Sequence, residues 1–274
     1  MRTKRLVIKA GKTEGQYWQD IWHYRELFYF LAWRDLLVLY KQTAIGVSWA
    51  LIRPLLTMVV LTIVFGRLAK LDVGEAPYPI LVFAGLLPWQ FFSNALSESS
   101  NSLILNANLV SKVYFPRLIV PASAVIVSFV DFIISGLILL ALMAWYDFVP
   151  DWRIMTLPIF IAIGFAAAMG GGLWLAALNV EYRDFRYLVP FIVQFGLYIS
   201  PVGFSSEVVP EQWRLLYSLN PMVGVIDGFR WAILGGDFQI YWPGFCLSML
   251  LVLALLSSGI WYFRKMERTF ADVI

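Results

Sequence analysis

Few residues in this chain are placed to do chemistry. The single cysteine, Cys246, lies in an apolar run and the single histidine, His23, in an amphipathic one, so one chain can build neither a disulfide nor a Cys/His metal site. Gly11-Lys12-Thr13 imitates the end of a phosphate-binding loop, but the first glycine of that pattern would fall at Leu6, and no buried strand precedes it. Binding of ATP by this chain is not expected, and any energy must come from a gradient or from another subunit. No nucleophile stands beside a general base, so no catalytic residue, metal or cofactor is assigned. What remains is polar residues within apolar sequence. Asp131 is either a polar point on a pathway or a hydrogen-bonded structural carboxylate. Gln90, Asn94 and Glu98 recur at four-residue spacing, which a helix would align into one stripe able to line a cavity.

The elements that must position these residues are membrane helices. Of the 274 residues, 60% are hydrophobic and 14% charged, and the mean hydropathy of +0.73 belongs to the membrane class. Lys and Arg gather near the ends of apolar runs and form no continuous basic face, so nucleic acid is not expected as a partner. A spanning helix needs about 20 mostly apolar residues, and six runs qualify: 47–66, 80–96, 118–146, 154–178, 187–203 and 243–263. The expected fold is an all-α polytopic membrane protein, with residues 1–46 as a cytosolic N-terminus and interface helix and 47–274 as the transmembrane domain. The basic start MRTKRLVIKAGKTEG leads into polar sequence and not into the apolar core of a signal peptide. An even number of spans puts both termini on one side. With the termini inside, 16 of the 21 Lys and Arg residues fall on the cytosolic side, the arrangement positive side chains favour.

Two segments depart from the simple pattern. Leu27 to Tyr40 is apolar but short and broken by Arg34 and Asp35. It reads as a helix in the membrane interface, with Trp18, Trp22, Phe28, Leu31 and Trp33 dipping into the acyl boundary and Lys41 toward lipid phosphates. A seventh span is the alternative. Residues 204–242 are too apolar for a solvated loop and split at Asn220-Pro221. The second piece, MVGVIDGFRWAIL, is too short to cross a core about 30 Å thick. A re-entrant hairpin of half-helices on the translocation route fits, containing Asn220, Pro221, Gly228, Phe229 and Arg230. Two short helices resting on the outer surface are the alternative.

Gly164, Ala168 and Gly172 put small side chains on one helix face, where a neighbour can approach closely. Aromatic residues are dense, among them Trp89, Phe91, Phe92, Trp145, Trp174, Phe195, Tyr198 and Trp231. Most suit a membrane belt or core, and some could offer sugars a flat apolar face in a pore. Trp89, Gln90, Phe92, Asn94, Asp131 and Tyr198 are the candidates for channel lining.

The stretches YKQTAIGVSWALIRPLL, VFAGLLPWQFFSNAL, VSKVYFPRLIVPAS, NVEYRDFRYLVP and NPMVGVIDGFRWAILG, taken in that order, resemble the permease subunits of bacterial polysaccharide-export ABC transporters. The resemblance runs from about Arg34 to the end of the chain. It implies the type 2 ABC exporter permease fold and a homodimeric channel in the cytoplasmic (inner) membrane, joined to two cytosolic ATPase subunits that carry ATP and Mg. The implied cargo is a lipid-linked O-antigen, capsule or teichoic-acid-like polymer. It also makes 106–115 a coupling helix against the ATPase and puts the 204–242 half-helices around an outer exit. Asn106, Lys112 and Tyr114, with Tyr182, Arg183, Asp184 and Arg186, become coupling residues. Arg183 and Arg186 could instead anchor topology or pair with a lipid pyrophosphate. A related ABC exporter of a drug or small lipid, and a gradient-driven carrier using Asp131, are the competing readings; a membrane enzyme ranks behind both.

Overall fold

The computed structural model describes residues 14–41, 48–69, 76–236 and 238–270. Gly11-Lys12-Thr13, the basic N-terminal cluster and the 42–47 part of the first family-like stretch lie outside the described residues.

The described chain is helical. Helix α1 (Glu14–His23) leads into α2 (Arg25–Lys41). Next come α3 (Ser48–Leu61), continued as a π-helix over Thr62–Leu68, and α4 (Tyr78–Leu105). A short α5 (Ala107–Lys112) precedes α6 (Ile119–Trp145), α7 (Leu157–Glu181) and α8 (Phe185–Ile199). The chain closes with α9 (Glu211–Tyr217), α10 (Pro221–Leu234) and α11 (Trp242–Met266).

Among the described residues, five helices are long and apolar enough to cross a membrane: 48–68, 78–105, 119–145, 152–181 and 242–266. The sixth expected span, 187–203, is a 15-residue helix. At 1.5 Å per residue it is about 22 Å long, short of a core about 30 Å thick. It still runs between the two ends of the bundle. Its start borders a cavity shared with Ile104 and Ala107, while the chain just after it meets the first turn of α4, where Tyr78 Oη donates to the Gly203 carbonyl over 2.7 Å. Non-helical residues 200–204 complete the passage, and their depth is tolerated because Ser200 to Gly203 are buried in protein.

Helix α4 is the axis of the bundle. It is buried against α6 on one side and α7 on another, with α10 at its beginning. Phe91 belongs to an aromatic cluster with Phe129, Phe132 and Phe165, ring centroids 5.5 to 6.1 Å apart. The small face of α7 works as expected: a Cβ at Gly172 would meet Ser99 of α4, and one at Gly164 would touch Val225 of α10. The tightest approach is elsewhere. A Cβ on Gly170 would lie 2.6 Å from the backbone nitrogen of Leu256, so α7 and α11 pack backbone to backbone.

A second apolar core closes one end, joining Leu31 of α2, Leu103 of α4, Val110 of α5, Ile119 of α6, Leu173 of α7 and Phe263 and Phe270 at the tail. Tyr17 Oη donates to Glu267 over 2.8 Å, and the Arg117 backbone N–H donates to the same carboxylate over 2.7 Å. This α5 end also carries Lys112, Arg183, Arg186, Arg264 and Lys265. Arg153, Arg214 and Arg230 lie at the opposite, α9 end.

Helix α2 differs from the in-plane expectation. Leu31 is 1% exposed inside the second core, so it points into protein, and Phe28 is partly buried against the same core. Arg34 Nη2 donates to Asn106 Oδ1 at the α5 end, while Tyr40 Oη donates to Asp131, well into α6. The helix therefore inclines along α6. Trp18, Trp22 and Trp33 remain exposed as anticipated, beside Tyr29 and Phe30.

Candidate functional site

The coupling candidates converge. Asn106 Nδ2 donates to the Ser102 carbonyl and so caps α4 at the break before α5. Lys112, the last residue of α5, and Tyr114, two residues past its end, are exposed beyond it, so the helix expected over 106–115 is confined to Ala107–Lys112. The turn between α7 and α8 exposes Tyr182, Arg183, Asp184 and Arg186. Asn179 ties this turn to α4, donating to the Ser100 carbonyl over 2.9 Å and to Asn101 Oδ1 over 3.2 Å. Ile104, Ala107, Asn179, Arg183, Arg186 and Tyr187 then share a cavity of about 390 Å³. Two segments about 75 positions apart thus form one surface at one end.

The channel candidates do not stay together. Trp89 is 5% exposed and fills the space left by Gly196 of α8; it is a packing residue, because that glycine lets α8 rest on the indole. Phe92 is half-buried beside it, 5.8 Å between ring centroids. Gln90 and Asn94 turn the other way, into a groove of about 230 Å³ with Tyr40, Arg53, Ser128 and Asp131. The polar stripe is therefore real but opens sideways between α2, α3, α4 and α6. Asp131 is a bonded carboxylate that fastens α2 to α6.

Tyr198 is 65% exposed, as a lining residue requires. Phe195, named among the dense aromatics but not among the lining candidates, is exposed too, and sequence reasoning missed Tyr187 and Phe191 altogether; the four lie on one face of α8. Phe191 and Phe195 are in contact, 4.2 Å between centroids. Steps of four, four and three residues carried this signal in the sequence. Val189 and Gly196, on the opposite face, hold α8 to the bundle.

The hairpin breaks where expected. Asn220 Oδ1 accepts from the Met222 N–H over 3.0 Å and Pro221 opens α10, a cap and first-turn pair suited to starting a helix. Gly235 and Gly236, both at positive φ, end it. α10 is packed within the bundle, and α9 is exposed. Gly228 packs against the Phe160 ring, and Phe229 joins the main core. Arg230 is fully buried, donating to the carbonyls of Val202 (2.8 Å), Phe204 (2.6 Å) and Leu81 (3.3 Å). These three residues hold the hairpin in place within one chain and do not face an open route.

A profile described as ABC-2 type transporter matches residues 26–234. The chain belongs to that family. It is 26% identical over 214 residues to the O-antigen export system permease protein RfbA of Myxococcus xanthus, covering 77% of this chain and 82% of that one. Against the Klebsiella pneumoniae protein of the same name it is 26% identical over 250 residues, covering 88% and 92%. The polysialic acid transport protein KpsM of Escherichia coli is 20% identical over 239 residues, covering 85% and 91%. The family makes this chain a multi-pass membrane transport subunit.

Proposed function

We propose that this chain is the channel-forming permease of an ATP-driven exporter that moves a lipid-linked polysaccharide, O-antigen or capsule-like, across the bacterial cytoplasmic membrane. The observation that carries this reading is the aromatic face of α8. Tyr187, Phe191, Phe195 and Tyr198 are exposed in a row, beside exposed Leu188, Ile192 and Ile199, on a helix held to the bundle through Val189 and Gly196, a costly display unless something flat and apolar passes or a second copy closes over it. Two copies related by a two-fold axis would bring two such faces together around a channel. Rings aligned along the path suit a chain of sugars, each presenting a C–H face, better than a single compact drug.

Two copies of a cytosolic ATPase would bind ATP and Mg and press on the α5 end, against Lys112 and the Tyr182–Arg186 turn. That orientation keeps both termini cytosolic and leaves α9 outside. The hydrogen bond from Tyr40 accounts for Asp131 without a proton-carrier role. Replacing Tyr187, Phe191, Phe195 and Tyr198 together with alanine should abolish surface polymer while the permease still assembles with its ATPase in detergent. Undiminished export by an assembled variant would sink the reading. Neutralising Lys112, Arg183 and Arg186 should separate ATP hydrolysis from export, and intact coupling would remove those residues from the ATPase contact.

A further inference from the structure

At the α9 end, the hairpin borders a cavity of about 440 Å³. Glu207, Arg214, Tyr217, Asp227, Tyr241 and Phe245 are among the residues that line it, with Gln239 exposed at its edge. Its size falls in the range of small-ligand sites. Two of its polar atoms lack partners, although Ser206 engages the Asp227 carboxyl at its other oxygen. Asp227 is 7% exposed, and its Oδ1, like the buried Tyr217 hydroxyl, has no hydrogen-bond partner among the described residues. Buried polar groups are ordinarily paired, so orphans that line an open cavity point to a guest that supplies the missing bonds.

We infer that this cavity binds a neutral sugar unit through the Asp227 carboxylate and the Tyr217 hydroxyl, and so holds the polymer where it leaves the permease. The inference rests on the export reading above. A carboxylate only accepts, and a phenol both donates and accepts, which together match adjacent sugar hydroxyls. The Gln239 amide adds one more donor and acceptor at the edge, and the Tyr241 and Phe245 rings offer an apolar wall for a sugar face. An anionic guest would meet Asp227 and Glu207. Arg214 lends the cavity its charge, but its Nε and Nη2 already donate to the carbonyls of Val209 and Glu207, so those two donors are not free to hold an anion. A metal ion is a poorer fit, since the described residues hold no cluster of three or more His, Cys, Asp or Glu side chains.

The test uses the full permease with its ATPase in nanodiscs. Probes are oligosaccharides freed by mild acid from the surface polymer of the same cells, and calcium ion. Saturation-transfer NMR should detect fragment binding to the unaltered protein, weakened about ten-fold or more, the worth of one hydrogen bond to a charged group, by Asp227→Asn and by Tyr217→Phe. Gln239→Ala, at the exposed edge and outside the packed core, should weaken it as well and covers the case in which a buried substitution unfolds the protein. Equal binding by the folded variants, no binding to the unaltered protein, or binding of calcium alone overturns the inference. Deleting the chain separates the two readings: if surface polymer disappears but fragments do not bind, the sugar site alone falls. If surface polymer persists, the export reading falls with it.

Discussion

At the scale of single residues, Arg230 and Trp89 show how burial reassigns a side chain's meaning. Arg230 reads in the sequence as one of five positive charges left outside, yet it is buried with three backbone carbonyls around its guanidinium. Arg230→Met should leave those acceptors unpaired and cost about 3 kcal/mol or more. Arg230→Lys should rescue little, because a point-like ammonium cannot reach a fork of three. Thermal unfolding followed by size-exclusion fluorescence would show both. Trp89→Ala should open a cavity under α8 at a cost of about 3 kcal/mol or more, so lost export in that variant would come with lost stability, visible in the same assay. Residue types alone could not separate these roles, since a tryptophan in a membrane helix fits a pore, a belt and a core equally well. Only Gly196, over 100 positions away, decides among them.

At the scale of elements, the spans were legible because length and apolarity leave a membrane helix little freedom, and the Asn220-Pro221 break was legible because cap chemistry is local. The incline of α2 was not. It depends on Leu31, Arg34 and Tyr40 each finding a partner on α4, α5 or α6, and amphipathicity alone describes a helix on a surface. The backbone contact between α7 and α11 was equally hidden, because Gly170 lies beside the spaced small residues and not among them. Gly170→Val should force the two helices apart, costing about 1–3 kcal/mol for an overpacked site and lowering the unfolding temperature. Gly136→Ala is the control: a Cβ there meets open space, so the unfolding temperature should not fall. The tie between α1 and the tail should respond to pH. Burial raises the Glu267 carboxyl above its usual range, outweighing the Arg117 N–H and the Tyr17 hydroxyl that pull it down. A raised acid binds its proton more tightly folded than unfolded, so its contribution is full below the ordinary glutamate range and is lost as pH rises through the native value. Hydrogen exchange in α1 should therefore quicken with pH beyond its intrinsic base catalysis, and Glu267→Gln should flatten that excess.

At the scale of the whole molecule, burial is uneven from helix to helix. The windows of α3 and α11 are 17% and 22% buried, whereas that of α4 is 78% buried. In a Cys246→Ser background, Tyr198→Cys should give an oxidant-dependent dimer if α8 faces its counterpart across the channel. A Leu253→Cys control on exposed α11 should give less. Equal cross-linking at both positions would move the dimer interface elsewhere. The burial of α4 also bears on how such proteins diversify. Nearly every substitution along that helix disturbs a neighbour on some side, while α8 can exchange one ring for another without touching the scaffold. Lineages handling different cargoes should therefore diverge in the α8 rings and keep the α4 helix almost unchanged, so the parts that drift would mark what is carried and the parts that do not would mark what carries it.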